Sequence, residues 1–428
     1  MTYQIPKGLF DILPYNGQSW QLVDKWQYLE KVILDLCKDY NFEEIRTPIF
    51  ETTELFVRGV GESSDIASKE LYSFKDKADR PLSLRPEDTA CVMRSFIENN
   101  FNRERKLHKL FYIGPMFRYD RPQAGRYRQF YQFGVELIGS SNYESDVEVI
   151  DMLISFLDRL EIKNLKLKIN SLGDIETRKT YKENLLNYLK PYFGTLSEDS
   201  KLRFEKNPLR ILDSKNETDK KLIKNGPRIL DFLTSSEKKY FESTLSLLDK
   251  LSIPYQVDHE LVRGLDYYDH TVFEVVSEDI GSQNSLGGGG RYNHLIKTLK
   301  GPDIPGIGFA CGMERILQTM IKQEVYFPKK HHPFIFIIPL SDEAKEFSFI
   351  LTKELRHHKI PTEIDIEAKK LQKSIQFANK INAENILIIG ENELSQKKAS
   401  FKNLQTRDQM EVDFDNLKTF IKNKYYKL

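Results

Sequence analysis

A long β-hairpin predicted between residues 110 and 138 constrains the fold of this chain more than any other feature. LFYIGPMFR and QFYQFGVELIG have the composition of its two strands, and the charged, Pro- and Gly-containing YDRPQAGRYR between them that of a loop. Side chains alternate between the faces of a strand, which gives the second strand a core face and a polar face. The core face carries Phe133, Val135 and Leu137, and the polar face Gln132, Gly134 and Glu136.

The polar face of the second strand is a candidate ligand-binding surface. Gly134 leaves a gap through which a ligand can approach the backbone. The Glu136 carboxylate and the Gln132 amide on either side of this gap could bind an N–H group and an ammonium group. Taken alone, the same pattern is equally typical of a sheet face that is exposed to solvent.

The hairpin region is strongly basic, although the whole chain has a formal net charge of only +1. Residues 101–130 contain eight Lys and Arg against two acidic residues, with tyrosines between them, which favours contact with a polyanion. A solvated loop is the ordinary explanation of a charge run. The basic residues are Arg103, Arg105, Lys106, Lys109, Arg118, Arg121, Arg126 and Arg128.

Length and composition indicate a globular protein. A chain of 428 residues suggests two or three domains, and 40% hydrophobic residues are enough for a substantial core. No apolar run is long enough for a membrane span, so no membrane partner is expected. The first residues lack the pattern of a secretory signal, and three scattered cysteines fit a reducing compartment, so we expect a cytoplasmic location.

Several ligand motifs are absent from the sequence. It contains no C-x-x-C and no H-E-x-x-H, so we expect no zinc. It contains no Gly-Lys dipeptide, which excludes a P-loop, and GIGFACG at 306–312 has the wrong spacing for a dinucleotide fingerprint. A nucleotide would therefore have to bind by another route.

Four further segments are candidate site segments, each with an ordinary structural alternative. LRPEDTA (84–90) could be only a helix start with Asp88 and Thr89 in its N-terminal turn. LVRGLDYYDHTVFE (261–274) places Arg263 just before two tyrosines.

The four glycines of GGGGRYNHL (287–295) suit a backbone lying flat against a ligand, or a mobile loop. In GIGFACGMERI (306–316), Arg315 could stack on a base, bind phosphate, or lie on a helix surface.

The remaining pattern divides the chain into two parts. An apolar stripe predicts a helix over 20–40, ending near Asn41, and FEEIRTPIF then predicts a strand containing Pro48, hence an edge or interface strand. Segments 145–162 and 174–250 are predicted to be mainly helical, 256–278 and 285–290 mainly strand, and 304–322 a strand followed by a helix. After a linker near 325–333, strand–helix alternation predicts an α/β domain with a mostly parallel sheet.

Together these segments closely resemble the histidyl-tRNA synthetases, a family of class II aminoacyl-tRNA synthetases. NFEEIRTPIF resembles motif 1, FRYDRPQAGRYRQFYQFGVELIG motif 2 and GIGFACGMERI motif 3. LVRGLDYY and GGGGRYNHL resemble two signatures specific to histidine. The likeness runs in order over nearly the whole chain.

The resemblance implies roles for individual residues. Arg118 and Arg263 would be catalytic at the α-phosphate of ATP, and Arg315 would bind ATP at the adenine face and γ-phosphate. Arg121, Gln123 and Arg126 would contact the tRNA acceptor end. The histidine-binding residues would be Glu87, Asp88, Thr89, Arg118, Gln132, Glu136, Arg263, Tyr267, Tyr268 and Tyr292.

The resemblance also implies an architecture and partners. We expect an α+β catalytic domain over 1–325, with an antiparallel sheet flanked by helices and a mainly helical insertion at about 174–250. A C-terminal α/β anticodon-binding domain would span 331–428. L-histidine, ATP with Mg²⁺ and tRNA(His) would be the partners, in a homodimer.

Two alternatives are a synthetase-like regulatory subunit of ATP phosphoribosyltransferase and a synthetase for another amino acid. The intact LVRGLDYY argues against both of these alternatives.

Overall fold

The computed structural model describes residues 3–61, 64–121, 125–279, 284–328, 330–367 and 370–427. The chain divides into two compact units, Met1–Phe327 and Pro328–Leu428. No helix within the described ranges is both long and apolar enough to cross a membrane.

The first unit is built around a large sheet. Up to the insertion its elements are α1 (Val23–Asp39), β1 (Glu43–Glu44), β2 (Phe50–Thr52), α2 (Thr53–Val60), β3 (Ser73–Lys75), β4 (Pro81–Leu84), α3 (Thr89–Glu98), β5 (His108–Phe117), β6 (Gln129–Ile138), α4 (Tyr143–Arg159) and β7 (Leu165–Ser171). The helical insertion contains α5 (Ile175–Leu189), α6 (Glu198–Lys206), α7 (Glu217–Lys224) and α8 (Ser235–Lys250). The unit ends with β8 (Tyr255–Val257), β9 (Asp269–Ser277), β10 (Ser285–Arg291), α9 (Leu295–Thr298), β11 (Gly306–Gly312) and α10 (Met313–Lys322). Shorter 3-10 helices lie at Ser19–Gln21, Phe101–Arg103, Lys190–Thr195, Pro208–Asp213 and Ile229–Phe232, and a π-helix at Ile66–Glu70.

The predicted hairpin forms the centre of the main sheet. The strand order is β1-β5-β6-β11-β10-β9-β7-β8, antiparallel except where β1 joins β5 and β8 joins β7. The expectation of an antiparallel sheet flanked by helices is confirmed. A smaller sheet, β2-β4-β3, lies beside it.

The two faces of the main sheet have different roles. Phe133, Val135 and Leu137 pack into one core with α1, α4 and α10, as the alternation of β6 predicts. The other face packs against α3 and the helical insertion through a second core, which includes Leu110 and Tyr112. The cavity described below opens on this second face.

The predicted helices are confirmed, including the one before Asn41. Residues Trp26, Leu29, Ile33 and Leu36 of α1 form its buried stripe. Asn41 has a φ of 58°, a left-handed conformation that ends helices.

The prediction of one strand around Pro48 is wrong. Glu43–Glu44 pairs with β5, whereas Phe50–Thr52 pairs with β4 in the smaller sheet, and Pro48 lies in neither strand. Proline has no N–H to donate, so the chain leaves one sheet before Pro48 and enters the other after it.

The strand predicted over 256–278 is likewise interrupted. Residues 258–268, which carry LVRGLDYY, form a loop between β8 and β9.

The second unit has a mixed sheet. Its elements are β12 (Ile335–Pro339), α11 (Asp342–His357), β13 (Thr362–Ile364), α12 (Leu371–Lys380), β14 (Asn385–Ile389), α13 (Glu391–Gln396), β15 (Lys398–Asn403), β16 (Gln409–Asp413) and α14 (Phe414–Tyr426). The strand order is β13-β12-β14-β15-β16. The three predicted strands are parallel, but the sheet as a whole is mixed because β15 and β16 add antiparallel strands with weaker apolar character.

Candidate active site

Most of the predicted site residues surround one cavity of about 280 Å³. Its floor is formed by β6, β10 and β11, and its rim by the start of α3, the hairpin loop and the loop between β8 and β9. The predicted residues that line it are Glu87, Thr89, Arg118, Arg126, Gln132, Glu136, Arg263, Tyr267, Tyr268, Tyr292 and Arg315.

A carboxyl group and a phenol meet on the floor of the cavity. Tyr292 donates its hydroxyl hydrogen bond to Oε2 of Glu136, and each residue is 1% exposed. Glycines on β11 make room for both: a methyl group on Gly308 would strike the Glu136 carboxylate, and one on Gly306 the Tyr292 ring. Burial raises the pKa of Glu136 well above its ordinary value, although hydrogen bonds from Tyr292 and Thr89 lower it. The site therefore favours a ligand that brings an N–H donor or a positive charge to this carboxyl group.

The gap predicted at Gly134 is filled by a neighbouring side chain. Tyr112 stands opposite Gly134 in the β5–β6 register, and its ring occupies the space where a Cβ would lie. The absence of a side chain at Gly134 therefore makes space for the Tyr112 ring, which lines the cavity, and a ligand would contact Tyr112 there instead of the Gly134 backbone.

A buried polar atom on the same face has no hydrogen-bond partner among the described residues. Oε1 of Gln132 is buried and lacks a hydrogen bond to any described residue. Buried amide oxygens rarely stay unpaired, so Gln132 is ready to accept a hydrogen bond from a ligand.

The side chain of Glu87, and not that of Asp88, caps the start of α3. Its carboxylate accepts hydrogen bonds from the backbone N–H groups of Thr89 and Ala90 at 2.8 and 2.9 Å. Asp88 is the N-cap residue and Thr89 the first residue of α3, as the sequence predicts, but the Asp88 side chain makes no capping hydrogen bond. Both Asp88 oxygens lie 3.1 Å from Nη1 of Arg85, and the structure does not bring Asp88 into the cavity lining.

Positive charge converges on one end of the cavity. Arg118 donates from Nε to the carbonyl of Pro86 at 2.9 Å, and Arg315 donates to the carbonyls of Gly125 and Ser285, each at 3.1 Å. Burial lowers the pKa of both arginines, and for Arg315 the charges of Arg126 and Arg118 lower it further. An anion with several oxygens would relieve this repulsion.

Arg263 is fixed over the glycine strand by an ion pair. Its Nη1 lies 2.7 Å from Oε1 of Glu274, which also accepts a hydrogen bond from Ser285 Oγ at 2.7 Å. Burial alone would lower the pKa of Arg263, but Glu274 and the two tyrosines raise it overall.

The guanidinium of Arg263 lies directly against the backbone of Gly288, where a Cβ would approach Nη1 to 2.9 Å. The glycines therefore belong to an ordered strand, and Gly288 makes space for this arginine. Nε of Arg263 is buried without a hydrogen bond to any described residue, which leaves it a donor for an anion.

The basic residues of the hairpin divide into separate groups and do not form one patch, and their contact with a polyanion stays a prediction. Arg105 and Lys109 pair with Glu43 and Glu148 near the start of β5. The ten residues of β5 separate them by roughly 30 Å from the arginines that follow it.

Of the residues predicted to contact tRNA, one faces the cavity. Arg126 lines it and lies 2.9 Å from Oδ2 of Asp120. Arg121 is exposed and outside the lining, and Gln123 lies outside the described residues.

Several residues of the site were not predicted. Tyr112 was detectable, because pairing the two hairpin strands places it on the face of Gln132 and Glu136. Glu70, Glu274, Ser285 and Glu314 had no such signal, since each reaches the site through tertiary contacts.

The described residues contain no group of three or more His, Cys, Asp or Glu that could hold a metal ion. A metal ion that enters together with a bound ligand would find oxygen donors at Glu274 and Ser285, beside the cavity.

Comparison with protein families matches both units. A family described as histidyl-tRNA synthetase matches residues 18–179 and 199–316, and one described as an anticodon binding domain matches residues 335–424.

Curated relatives and solved structures agree with these family matches. Histidine–tRNA ligase of Protochlamydia amoebophila is 52% identical over 99% of this chain and 100% of its own, and that of a Geobacillus strain 45% identical over the same shares. The crystal structure of apo histidyl-tRNA synthetase from S. aureus has a TM-score of 0.82, with 38% identity over 98% of this chain and 100% of that one.

Proposed function

The chain belongs to the family of histidyl-tRNA synthetases, and we propose that the cavity described above is where its reaction takes place. The enzyme is a ligase that joins histidine to tRNA. It first activates L-histidine with ATP, forming histidyl-adenylate and pyrophosphate, and then transfers histidine to the 3′ end of tRNA(His). The observation that carries the assignment to this cavity is that the buried carboxyl of Glu136 and the converging arginines line one space.

Histidine would occupy the end of the cavity that contains Glu136. Its imidazole N–H would donate to Glu136, and Tyr268 and Tyr292 would enclose the ring. The buried Oε1 of Gln132 would accept from the ammonium group, beside the carboxylate of Glu87. A site that binds a substrate by its N–H groups discriminates strongly against analogues that lack them.

ATP would occupy the arginine end of the cavity. In the first step the histidine carboxylate attacks the α-phosphorus and pyrophosphate leaves. Arg118 and Arg263 would stabilise the charge that develops on the α-phosphate oxygens, and Arg315 would hold the adenine face and γ-phosphate.

Mg²⁺ would enter with ATP. This cation binds through one or two carboxylates and substrate phosphates, so a cluster of protein ligands is not required. The oxygens of Glu274 and Ser285 suit this cation, and it would neutralise charge on the phosphates.

The tRNA would meet both units of the chain. Its acceptor end would approach the cavity past Arg121, Gln123 and Arg126, and the unit over 331–428 would bind the anticodon. That segment has 16 Lys and Arg against 14 Asp and Glu, so specific contacts would outweigh general electrostatic attraction.

The three cysteines are free thiols, which suits a location in the cytoplasm, where tRNA is charged.

A homodimer is the assembly that we propose. Ile49, Phe50 and Phe74 expose 46%, 51% and 44% of their surface at the smaller sheet, and an exposed apolar patch favours association. Light scattering at micromolar concentration should give a mass of about 100 kDa, twice the 50.2 kDa of one chain. A stable mass of one chain would refute the dimer.

ATP–pyrophosphate exchange with each of the twenty amino acids tests the site. We expect exchange with histidine alone, and we expect Glu136→Gln to abolish most of it, whereas the exposed Glu98→Gln should behave like the wild type. Near-normal pyrophosphate exchange by Glu136→Gln would refute the proposal that histidine binds to Glu136 in this cavity. No exchange by the wild type would favour a regulatory role, and exchange with another amino acid a different specificity.

A further inference from the structure

The loop that carries Arg263, Tyr267 and Tyr268 is held by the helical insertion. Residues 258–268 belong to no strand, so their backbone carbonyl groups need donors from elsewhere. Arg178, on α5 of the insertion, donates from Nη1 to the carbonyls of Asp266 and Tyr268 at 3.3 and 2.7 Å. These bonds fix the loop on both sides of Tyr267.

Two more insertion residues reach the same loop from the Asn207–Arg210 turn. Asn207 begins a 3-10 helix, but its side chain makes no capping bond there. It donates instead from Nδ2 to Oδ1 of Asp266 at 2.8 Å. Arg210 donates from Nη1 to the carbonyl of Gly264, next to Arg263, at 3.3 Å.

Arg210 also ties the loop to the opposite wall. Its Nη2 lies 3.0 Å from Oδ2 of Asp65, in the segment after α2. The backbone N–H of Asp266 donates to the carbonyl of Val60, the last residue of α2, at 3.2 Å. The loop is therefore held between α2 and the insertion.

We propose that Arg178, Asn207 and Arg210 are positioning residues, through which the helical insertion holds the Arg263 loop in its reactive conformation. The inference rests on the proposed function of the cavity. None of the three lines the cavity, so each acts through the loop. Because the loop bears Arg263 and both tyrosines, its displacement affects histidine binding and the chemical step. ATP binding through Arg118 and Arg315, which lie outside the loop, is spared.

The kinetic test compares Asn207→Ala and Arg210→Met with Lys206→Ala, an exposed neighbour on the same insertion. In ATP–pyrophosphate exchange the first two should lower kcat and raise the KM for histidine, each by about tenfold, with the KM for ATP changed less than twofold. Lys206→Ala should match the wild type. Wild-type kinetics in both variants, or an equal rise in both KM values, would overturn the proposal. A fall in kcat alone, in proportion to a smaller folded fraction, would also overturn it.

Two further measurements separate positioning from folding. The double variant Asn207→Ala/Asp266→Ala should lose less activity than the sum of the two single losses, because both single variants remove the contact between Asn207 and Asp266. Additive losses would contradict this. Hydrogen exchange should show faster-exchanging amides at 258–268 in Asn207→Ala but not in Lys206→Ala. Unchanged hydrogen exchange at residues 258–268 in Asn207→Ala would overturn the inference and would leave the proposed function unaffected. A wild-type protein that is inactive with histidine would instead refute the proposed function.

Discussion

At the residue scale, the arginine that we propose as catalytic, Arg263, is held by a neighbouring carboxylate. Glu274 was not apparent from the sequence, yet it holds Arg263 by a 2.7 Å ion pair. Glu274→Gln keeps the shape and removes the charge, so Arg263 should become less well oriented toward the α-phosphate. We expect the adenylation rate to fall about tenfold with histidine affinity little changed.

Pre-steady-state kinetics of adenylate formation measure this effect directly. The exposed Glu278→Gln, at the end of the same strand region, is the matched control. An unchanged chemical step in Glu274→Gln would contradict the role of the ion pair.

Glu314 should make stability depend on pH. Burial raises the pKa of Glu314 from an ordinary 4.5 to about 8, while its Oε1 accepts from the N–H of Tyr131 at 2.7 Å. Between these pH values the folded protein retains a proton that the unfolded chain releases. The stabilisation is complete below about pH 4.5 and is lost as the pH rises through about 8.

Glu314→Gln keeps the hydrogen bond and removes the titration. Urea unfolding at pH 5, 6, 7 and 8 should show a flatter dependence on pH in this variant than in the wild type. The exposed Glu242→Gln should leave the dependence unchanged. Parallel curves for Glu314→Gln and the wild type would disprove the role of Glu314.

At the scale of elements, sequence periodicity predicted which side of each helix or strand is buried, but not which residues of different elements contact each other. The alternation in β6 correctly separated Phe133 from Glu136, and the stripe in α1 correctly identified its buried face. The ring of Tyr112 over Gly134 depends on the register between two strands, which the alternation within one strand does not give. The capping of α3 by Glu87 is a local contact with the backbone N–H groups of Thr89 and Ala90. Pro48 marked a true interruption, but only the two sheets show that the strand divides there.

The buried ion pair between Arg291 and Asp146 joins β10 to α4. Neither residue is exposed, and Arg291 also donates to the carbonyl of Ser140 at 2.7 Å. Arg291→Leu leaves the Asp146 charge buried and uncompensated, so it should cost about 3–5 kcal/mol in the free energy of unfolding.

Arg159→Leu is the control for this prediction, because Arg159, the last residue of α4, forms an ion pair with Asp39 of α1 at the protein surface. Its cost should stay below about 1 kcal/mol in the same urea titration. Equal losses of unfolding free energy in the two variants would show that burial does not determine how much an ion pair contributes to stability.

At the scale of the whole molecule, the two units should separate in function. A protein ending at Phe327 keeps the complete cavity lining. It should retain histidine-dependent pyrophosphate exchange, which needs no tRNA, and its charging of tRNA should fall sharply.

The full-length chain, assayed for both reactions, is the reference for this truncation. Loss of both reactions would indicate that the second unit is only a structural support. Charging at the full rate would refute anticodon recognition by that unit.

The order of strands in the main sheet has a consequence for synthesis on the ribosome. β6 lies between β5, its neighbour in sequence, and β11, which begins at residue 306. Ile138 pairs with Gly306, about 170 residues later, so at roughly 5–20 residues per second β6 waits on the order of 10–30 s for that partner. Throughout that interval, the backbone N–H and C=O groups of β6 that later bind β11 have no strand partner. Such an open edge can pair with other chains. The emerging chain therefore needs protection there until its last sheet strand has left the ribosome.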